Sequence, residues 1–207
     1  MIIDLPKIFE GETITILGGG YSLHDFDWSR VKGKAIAVNY SVLKYPDAAL
    51  CVACDGCINY KKVIINNIEW DVQNFFKMYK GIMVTDREPQ YEGGKKITYE
   101  GVAMTDSERD LDWHCQSANN SGFVSLALAF HLGATKVFLL GFDGGYDKIS
   151  NHYYHNANIE SKVFESFNYH YQWFKDHPVI NIINPAFESK IECFKKVDIN
   201  TNFYGNY

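Results

Sequence analysis

Six short apolar runs divide this chain, and each gives way to small or polar residues. They are Thr13–Leu17, Lys34–Val38, Ala49–Ala53, Gly81–Thr85, Lys136–Leu140 and Val179–Ile183. Runs of about five residues, rich in Val and Ile, are too short for helices and suit buried strands. The stretches between them are long enough for helices. The clearest is Ser121 to Leu132, where Phe123, Leu126, Ala127, Phe130 and His131 recur at helical spacing and Gly133 follows as a stop. Helices are also expected over Ser22–Val31, 58–79, 159–176 and 186–196. Short apolar strands alternating with helices predict an α/β fold: a single Rossmann-like domain with a mainly parallel sheet and helices on both faces. The 207 residues fit one domain. Within it, 86–118 reads as an irregular insert and 144–158 as a lid loop.

In such sheets a ligand lies outside the carboxyl ends of the strands. The residues there are Gly18–Ser22, Asn39, Asp55, Thr85, Gly141–Asp143 and Asn184. They are mostly small or polar, as a site requires. Gly18, Gly19 and Gly20 would let a phosphate or ribose approach backbone N–H groups at a helix start. A plain tight strand–helix turn explains them equally. Ser121 reads as an N-cap and, with Gly122, as a second anion or ribose site. Asp143 reads either as a turn cap or as a group that binds a substrate hydroxyl or a magnesium ion. His152-Tyr-Tyr-His155, followed by Asn156 and Asn158, is the most unusual polar cluster. A histidine near neutral pKa in that loop can serve as general base. His131 and His170 are assigned to packing.

Composition narrows the function classes. A formal charge of −5 disfavours a broad nucleic-acid surface. Charged residues at 22% beside 46% hydrophobic residues exclude a disordered, collagen-like or coiled-coil chain. The 14 Tyr, 14 Phe and 4 Trp exceed what a minimal core needs, so some are expected to line a pocket. The five cysteines, an odd number, and the absence of a basic leader point to a reduced, cytoplasmic setting. Cys51 and Cys54 would face opposite sides of a strand, which argues against a zinc run through Cys51, Cys54 and Cys57. No apolar stretch reaches the ~20 residues of a membrane span.

The segments Ile14-Thr-Ile-Leu-Gly-Gly-Gly-Tyr-Ser-Leu23, Phe26-Asp-Trp-Ser-Arg30 and Val38-Asn39 resemble the opening of the bacterial sialyltransferases of glycosyltransferase family 42. They are similar as well to the phage and bacterial proteins related to archaeal 6-hydroxymethylpterin pyrophosphokinase. Ser121–Asp143 resembles the Ser-Gly helix and Gly-x-Asp strand end of both groups. His152–Asn158 resembles the catalytic-base loop of the sialyltransferases, and Asn181–Pro185 their last strand and turn.

The resemblance implies a nucleotide-sugar-dependent, inverting glycosyltransferase that needs no metal cofactor. Gly18, Gly19, Gly20 and Ser22 would approach the donor's phosphate and sugar. Asn39 and Asp55 would contact the nucleotide or sugar, as would Ser121, Gly122 and Asp143. Tyr146, Tyr153 or Tyr154 would hydrogen-bond the leaving phosphate, and His155 would take the acceptor's proton. The acceptor is expected to be a glycan. A modified DNA base would need the Lys/Arg residues of the middle segment, Lys61, Lys62, Lys77, Lys80, Arg87, Lys95 and Lys96. The alternative is a magnesium-dependent pyrophosphokinase or phosphotransferase, with Asp55 and Asp143 at the metal, or a non-catalytic nucleotide binder. A homo-oligomer is compatible with all of these.

Overall fold

The computed structural model describes residues 7–53, 61–65, 68–85, 95–98, 120–144, 171–176, 178–186 and 188–205, with the backbone alone for 95–98. Strand β1 spans Thr13–Leu17, β2 Ala35–Val38, β3 Leu50–Ala53, β6 Ile82–Thr85, β7 Lys95–Thr98, β8 Lys136–Leu140, β9 Asn181–Asn184 and β10 Lys195–Lys196. Together they form one eight-stranded sheet in the order β10-β9-β8-β1-β2-β3-β6-β7. Every neighbouring pair in it is parallel.

Side-chain alternation explains why these runs carry apolar residues at nearly every position. Ile14, Ile16, Ile36, Val38, Leu50, Val52, Val137 and Leu139 share one core. Their neighbours Leu17, Ala35, Ala37, Cys51, Ala53, Phe138 and Leu140 share the other. Both faces are buried, as parallel sheets require. On the first face lies helix α3, Ser121–His131, which crosses β1, β2 and β3. Beside it sit the helical residues 171–176, through Tyr171, Trp173 and Phe174. The second face is covered by α1 (Ser41–Lys44), α2 (Val72–Met78) and the chain around Val197–Phe203. Tyr204 closes this side, its hydroxyl 2.7 Å from Thr15 Oγ1.

Several expected elements differ. Ser22–Val31 is not an α-helix but two 3-10 turns, Tyr21–Leu23 and Trp28–Arg30. Asp27 takes the Ser29 N–H at 3.0 Å and starts the second turn. Residues 58–79 are not one helix either. Strands β4 (Lys62–Ile65) and β5 (Ile68–Asp71) form an antiparallel pair apart from the main sheet, and only then does α2 begin. Asp71 accepts from Asn74 N–H at 2.9 Å and caps it. In the pair, Val63 and Ile65 share a face with Trp70 and Ile68. Within the expected insert, β7 adds a parallel strand to the edge of the main sheet. The described residues of the segment 186–196 form an irregular stretch ending in β10, not a helix. Cys51 is buried in β3 as anticipated. The lid loop 144–158 lies outside the described residues beyond Gly144. Among the described residues, no helix is long and apolar enough to cross a membrane.

Candidate functional site

The sheet order reverses beside β1. From β1 the chain moves outward through β2, β3, β6 and β7, then returns to the other side for β8, β9 and β10. A crevice is expected where the order reverses, outside the carboxyl ends of β1 and β8. The two glycine turns, Gly18–Gly20 and Gly141–Asp143, meet there.

They meet tightly. Gly18 N–H donates to Leu140 O at 2.7 Å, and Gly20 N–H to Gly141 O at 2.9 Å. Ser22 donates twice to Asp143, from its N–H to Oδ2 at 2.8 Å and from its hydroxyl to Oδ1 at 2.6 Å. A Cβ on Gly20 would lie 2.5 Å from the Asp143 carboxylate and 2.6 Å from Gly141 O, so only glycine allows this approach. Gly19 lies between these two glycines in the turn. The N–H groups of Gly18, Gly20 and Ser22, expected to face a phosphate, are thus used in joining β1 to β8. Of the two readings of the glycine turn, the structure favours the tight joint at these positions.

Asp143 is the carboxylate of this joint. Burial pushes its carboxyl above the ordinary carboxylate value, and the two bonds from Ser22 hold it part of the way back. Service as a magnesium ligand would compete with both Ser22 bonds. Asp55, its expected companion, lies outside the described residues. The described groups therefore do not assemble a magnesium site. Among the described residues, no three or more His, Cys, Asp or Glu side chains cluster where they could hold a metal ion.

The loop after β8 is braced from below. Asn184, fully buried at the end of β9, donates from Nδ2 to Phe142 O at 3.0 Å and to Ser189 Oγ at 3.0 Å. Its Oδ1 accepts from Ala186 N–H at 3.2 Å. Ser189 Oγ donates to Phe142 O at 2.7 Å, and Lys190 N–H to Asp143 O at 2.7 Å. The brace holds the Phe142 carbonyl, and the Phe142 ring lies against both Gly18 in the glycine turn and Gly122 at the start of α3.

That helix start is the third wall. The cap is Asn120, not Ser121: its Oδ1 accepts from Phe123 N–H at 3.1 Å. Ser121 opens the first turn, and its carbonyl takes the Ser125 hydroxyl at 2.7 Å. Gly122 faces the Phe142 ring. A Cβ there would stand 2.8 Å from Phe142 Cε1 and 2.9 Å from the Tyr171 hydroxyl. Asn39 sits just beyond β2 with a left-handed φ of 53°, a conformation asparagine tolerates better than most residues. Its N–H donates to Val52 O at 2.9 Å, and its carbonyl accepts from Cys51 Sγ at 3.6 Å.

The structure thus brings Gly18, Gly19, Gly20, Ser22, Ser121, Gly122 and Asp143 together at the carboxyl ends of β1 and β8, with Asn39 at the end of the adjacent strand. His155, Tyr154 and Tyr146, together with Asp55, lie outside the described residues. Asn120 and Tyr171 were not among the expected site residues, and Phe142 was included only as part of the strand end Gly141–Asp143. An Asn directly before an apolar-periodic helix is a capping signal that points to the first of them. A cavity of about 530 Å³ lies at the opposite end of the sheet, between Pro46, Phe75, Tyr79 and Lys80. It is lined largely by apolar groups and carries none of the residues expected to bind the donor. Of the middle-segment cations, Lys62 is paired with Glu69 at 2.6 Å.

No protein-family model, curated protein or solved structure matches the chain.

Proposed function

We propose that this chain is a nucleotide-sugar-dependent glycosyltransferase, sialyltransferase-like and inverting, whose donor lies outside the joined carboxyl ends of β1 and β8. The observation that carries the reading is the reversal of sheet order at β1 and β8. It brings together, at one end of the sheet, the Ile14–Leu23 and Ser121–Asp143 blocks on which the resemblance to glycosyltransferase family 42 rests. Small residues stand at this end of the sheet, and the N-terminus of α3 packs against Phe142 beside them, which suits the phosphate of a nucleotide.

The chemistry follows from the loop that the resemblance assigns. His155 takes the proton of an acceptor hydroxyl, most simply that of a glycan. The freed oxygen attacks the anomeric carbon from the face opposite the nucleotide. The bond from that carbon to the phosphate oxygen breaks, which inverts the centre. Tyr146 and Tyr154 hydroxyls donate hydrogen bonds to the departing phosphate and stabilise its growing charge.

The test compares wild type with His155→Ala on a panel of nucleotide sugars. Transfer is expected to fall about 10²–10⁴-fold, as for loss of a general base, while nucleotide affinity is retained. Unchanged turnover in the variant would remove the assignment. A thermal-shift panel with and without magnesium separates this reading from metal-dependent phosphotransfer. Stabilisation by cytidine or uridine nucleotides without the ion is the expected result.

A further inference from the structure

The chain around Ile199–Tyr204 is tied down by one arginine. Arg30 Nη2 donates to Ile199 O at 2.7 Å and to Thr201 O at 2.6 Å. Its guanidinium stands 5.4 Å from the centre of the Phe26 ring and 5.1 Å from that of Phe203. Two carbonyls and two rings therefore fix the plane of this cation. A guanidinium carries five N–H donors, and the tie uses only those on Nη2. Nε and Nη1 make no hydrogen bond to the described residues.

Lys32 supplies a second cation beside it. Its Nζ stands 5.7 Å from the centre of the Tyr204 ring, and its N–H donates to the Tyr204 hydroxyl at 3.2 Å. Lys34 meets Glu12 at 2.7 Å and Lys62 meets Glu69 at 2.6 Å, but Lys32 pairs with no carboxylate among the described residues. Arg30 and Lys32 line one cavity of about 470 Å³, together with Asn200, Asn202 and Tyr204. No carboxylate lines it, although the chain holds 25 acidic residues against 20 Lys and Arg. Asp27 is held chiefly by the hydroxyl and N–H of Ser29 and less by the charge of Arg30. Asp198 takes the N–H of Asn200. The side-chain amides of Asn200 and Asn202 make no hydrogen bond to the described residues and add neutral donors to the wall.

Two cations held at one cavity without a counter-charge call for an anion, and hydrogen bonds from charged donors are about twice as strong as neutral ones. A phosphate monoester suits them best. With a second pKa of about 6 it is doubly charged at neutral pH, and it offers three oxygens to the guanidinium, the ammonium and the amides. Small-molecule sites run from about 300 to 1,000 Å³, so this cavity has room for a small carbon skeleton beside the phosphate. We propose that Arg30 and Lys32 form a phosphate-binding site, for a phosphate carried by a small molecule or free in solution. The site lies ahead of β2, apart from the carboxyl ends of β1 and β8, and does not rest on the transferase reading.

The experiment titrates the labelled full chain with glycerol 3-phosphate, glucose 6-phosphate, inorganic phosphate and, as the uncharged control, glycerol, and follows the N–H signals by two-dimensional NMR. The phosphates are expected to shift the amides of Arg30–Lys32 and Asn200–Tyr204 together with the guanidinium N–H signals of Arg30, and glycerol to shift none of them. Lys32→Gln removes one charge-assisted bond and is expected to weaken binding about tenfold. Lys32→Glu is expected to weaken it further. Lys32 is exposed, so both variants retain the fold. Tighter binding of the two sugar- and glycerol-linked phosphates than of inorganic phosphate identifies a small-molecule site, and equal binding identifies a free-phosphate site. Wild-type affinity in Lys32→Glu overturns the proposal. So does a wild-type chain that binds none of the phosphates, or one whose shifts are confined to Gly18–Ser22 and Gly141–Asp143.

Discussion

The Asp143 carboxylate receives both the backbone N–H and the hydroxyl of Ser22, at 2.8 Å and 2.6 Å, across the point where the sheet order reverses. One side chain at the end of β8 thereby fixes the turn that follows β1. Hydrogen bonds to an ionised partner contribute about 1.5–3 kcal/mol, more than neutral ones. Ser22→Ala is expected to lower stability by about that amount in urea unfolding. Because the two residues act as one unit, the double variant with Asp143→Ala is expected to cost less than the sum of the single changes. Strict additivity would show that the joint is not cooperative.

Asn184 holds the same loop from the other side. It uses all of its described hydrogen-bonding capacity on Phe142 O, Ser189 Oγ and Ala186 N–H. Asn184→Ala leaves the Ala186 N–H unpaired and gives Phe142 O one donor in place of two. A loss of about 2–3 kcal/mol is expected, the cost of unmade buried bonds plus a small void. Asn184→Asp is expected to be worse than a surface change of the same kind, because a carboxylate faces Phe142 O. Thermal unfolding of the two variants checks both statements.

His131 makes stability depend on pH. Burial lowers its pKa below the ordinary 6.5, and the charge of Lys7 lowers it further. The unfolded chain therefore binds a proton at a higher pH than the folded one. Its contribution to stability is present above pH 6.5 and is lost as pH falls from 6.5 towards the depressed folded value. Denaturation midpoints across this window are expected to fall with acidity in the wild type. In His131→Asn, that part of the slope disappears.

The strands could be read from the sequence because burial on both faces leaves no room for polar alternation. Ile14 and Ile16 serve one core, Leu17 the other, so the run Thr13–Leu17 is apolar almost throughout. The strand ends were legible for the complementary reason: apolar packing stops there, and Gly18, Asn39 and Gly141 begin. The pair β4–β5 was not, because Val63, Ile64 and Ile68 also fit a helical stripe. The signal that separates the two is Val63-Ile64-Ile65 followed by Asn66-Asn67, a β-branched run before turn residues. The stretch after Asn184 misled for another reason. Ala186, Ile191 and Phe194 are buried, as helix-face residues would be, but the N–H groups of Ala186 and Ile191 go to Asn184 Oδ1 and Ser189 Oγ in place of helical carbonyls. In the site, the glycines were visible and their use was not. Whether Gly20 faces a phosphate or Asp143 depends on β8, more than a hundred residues away in the chain.

On the proposed reading, a nucleotide binds outside the carboxyl ends of β1 and β8, beside the joint between them. Two-dimensional NMR of the labelled chain, titrated with cytidine monophosphate, tests it most directly. The account predicts that the amide signals of Gly18–Ser22, Asn39, Ser121, Gly122 and Gly141–Asp143 shift together and saturate with one affinity. Shifts confined to Pro46-flanking residues, Phe75, Tyr79 and Lys80, around the cavity at the opposite end of the sheet, would contradict it.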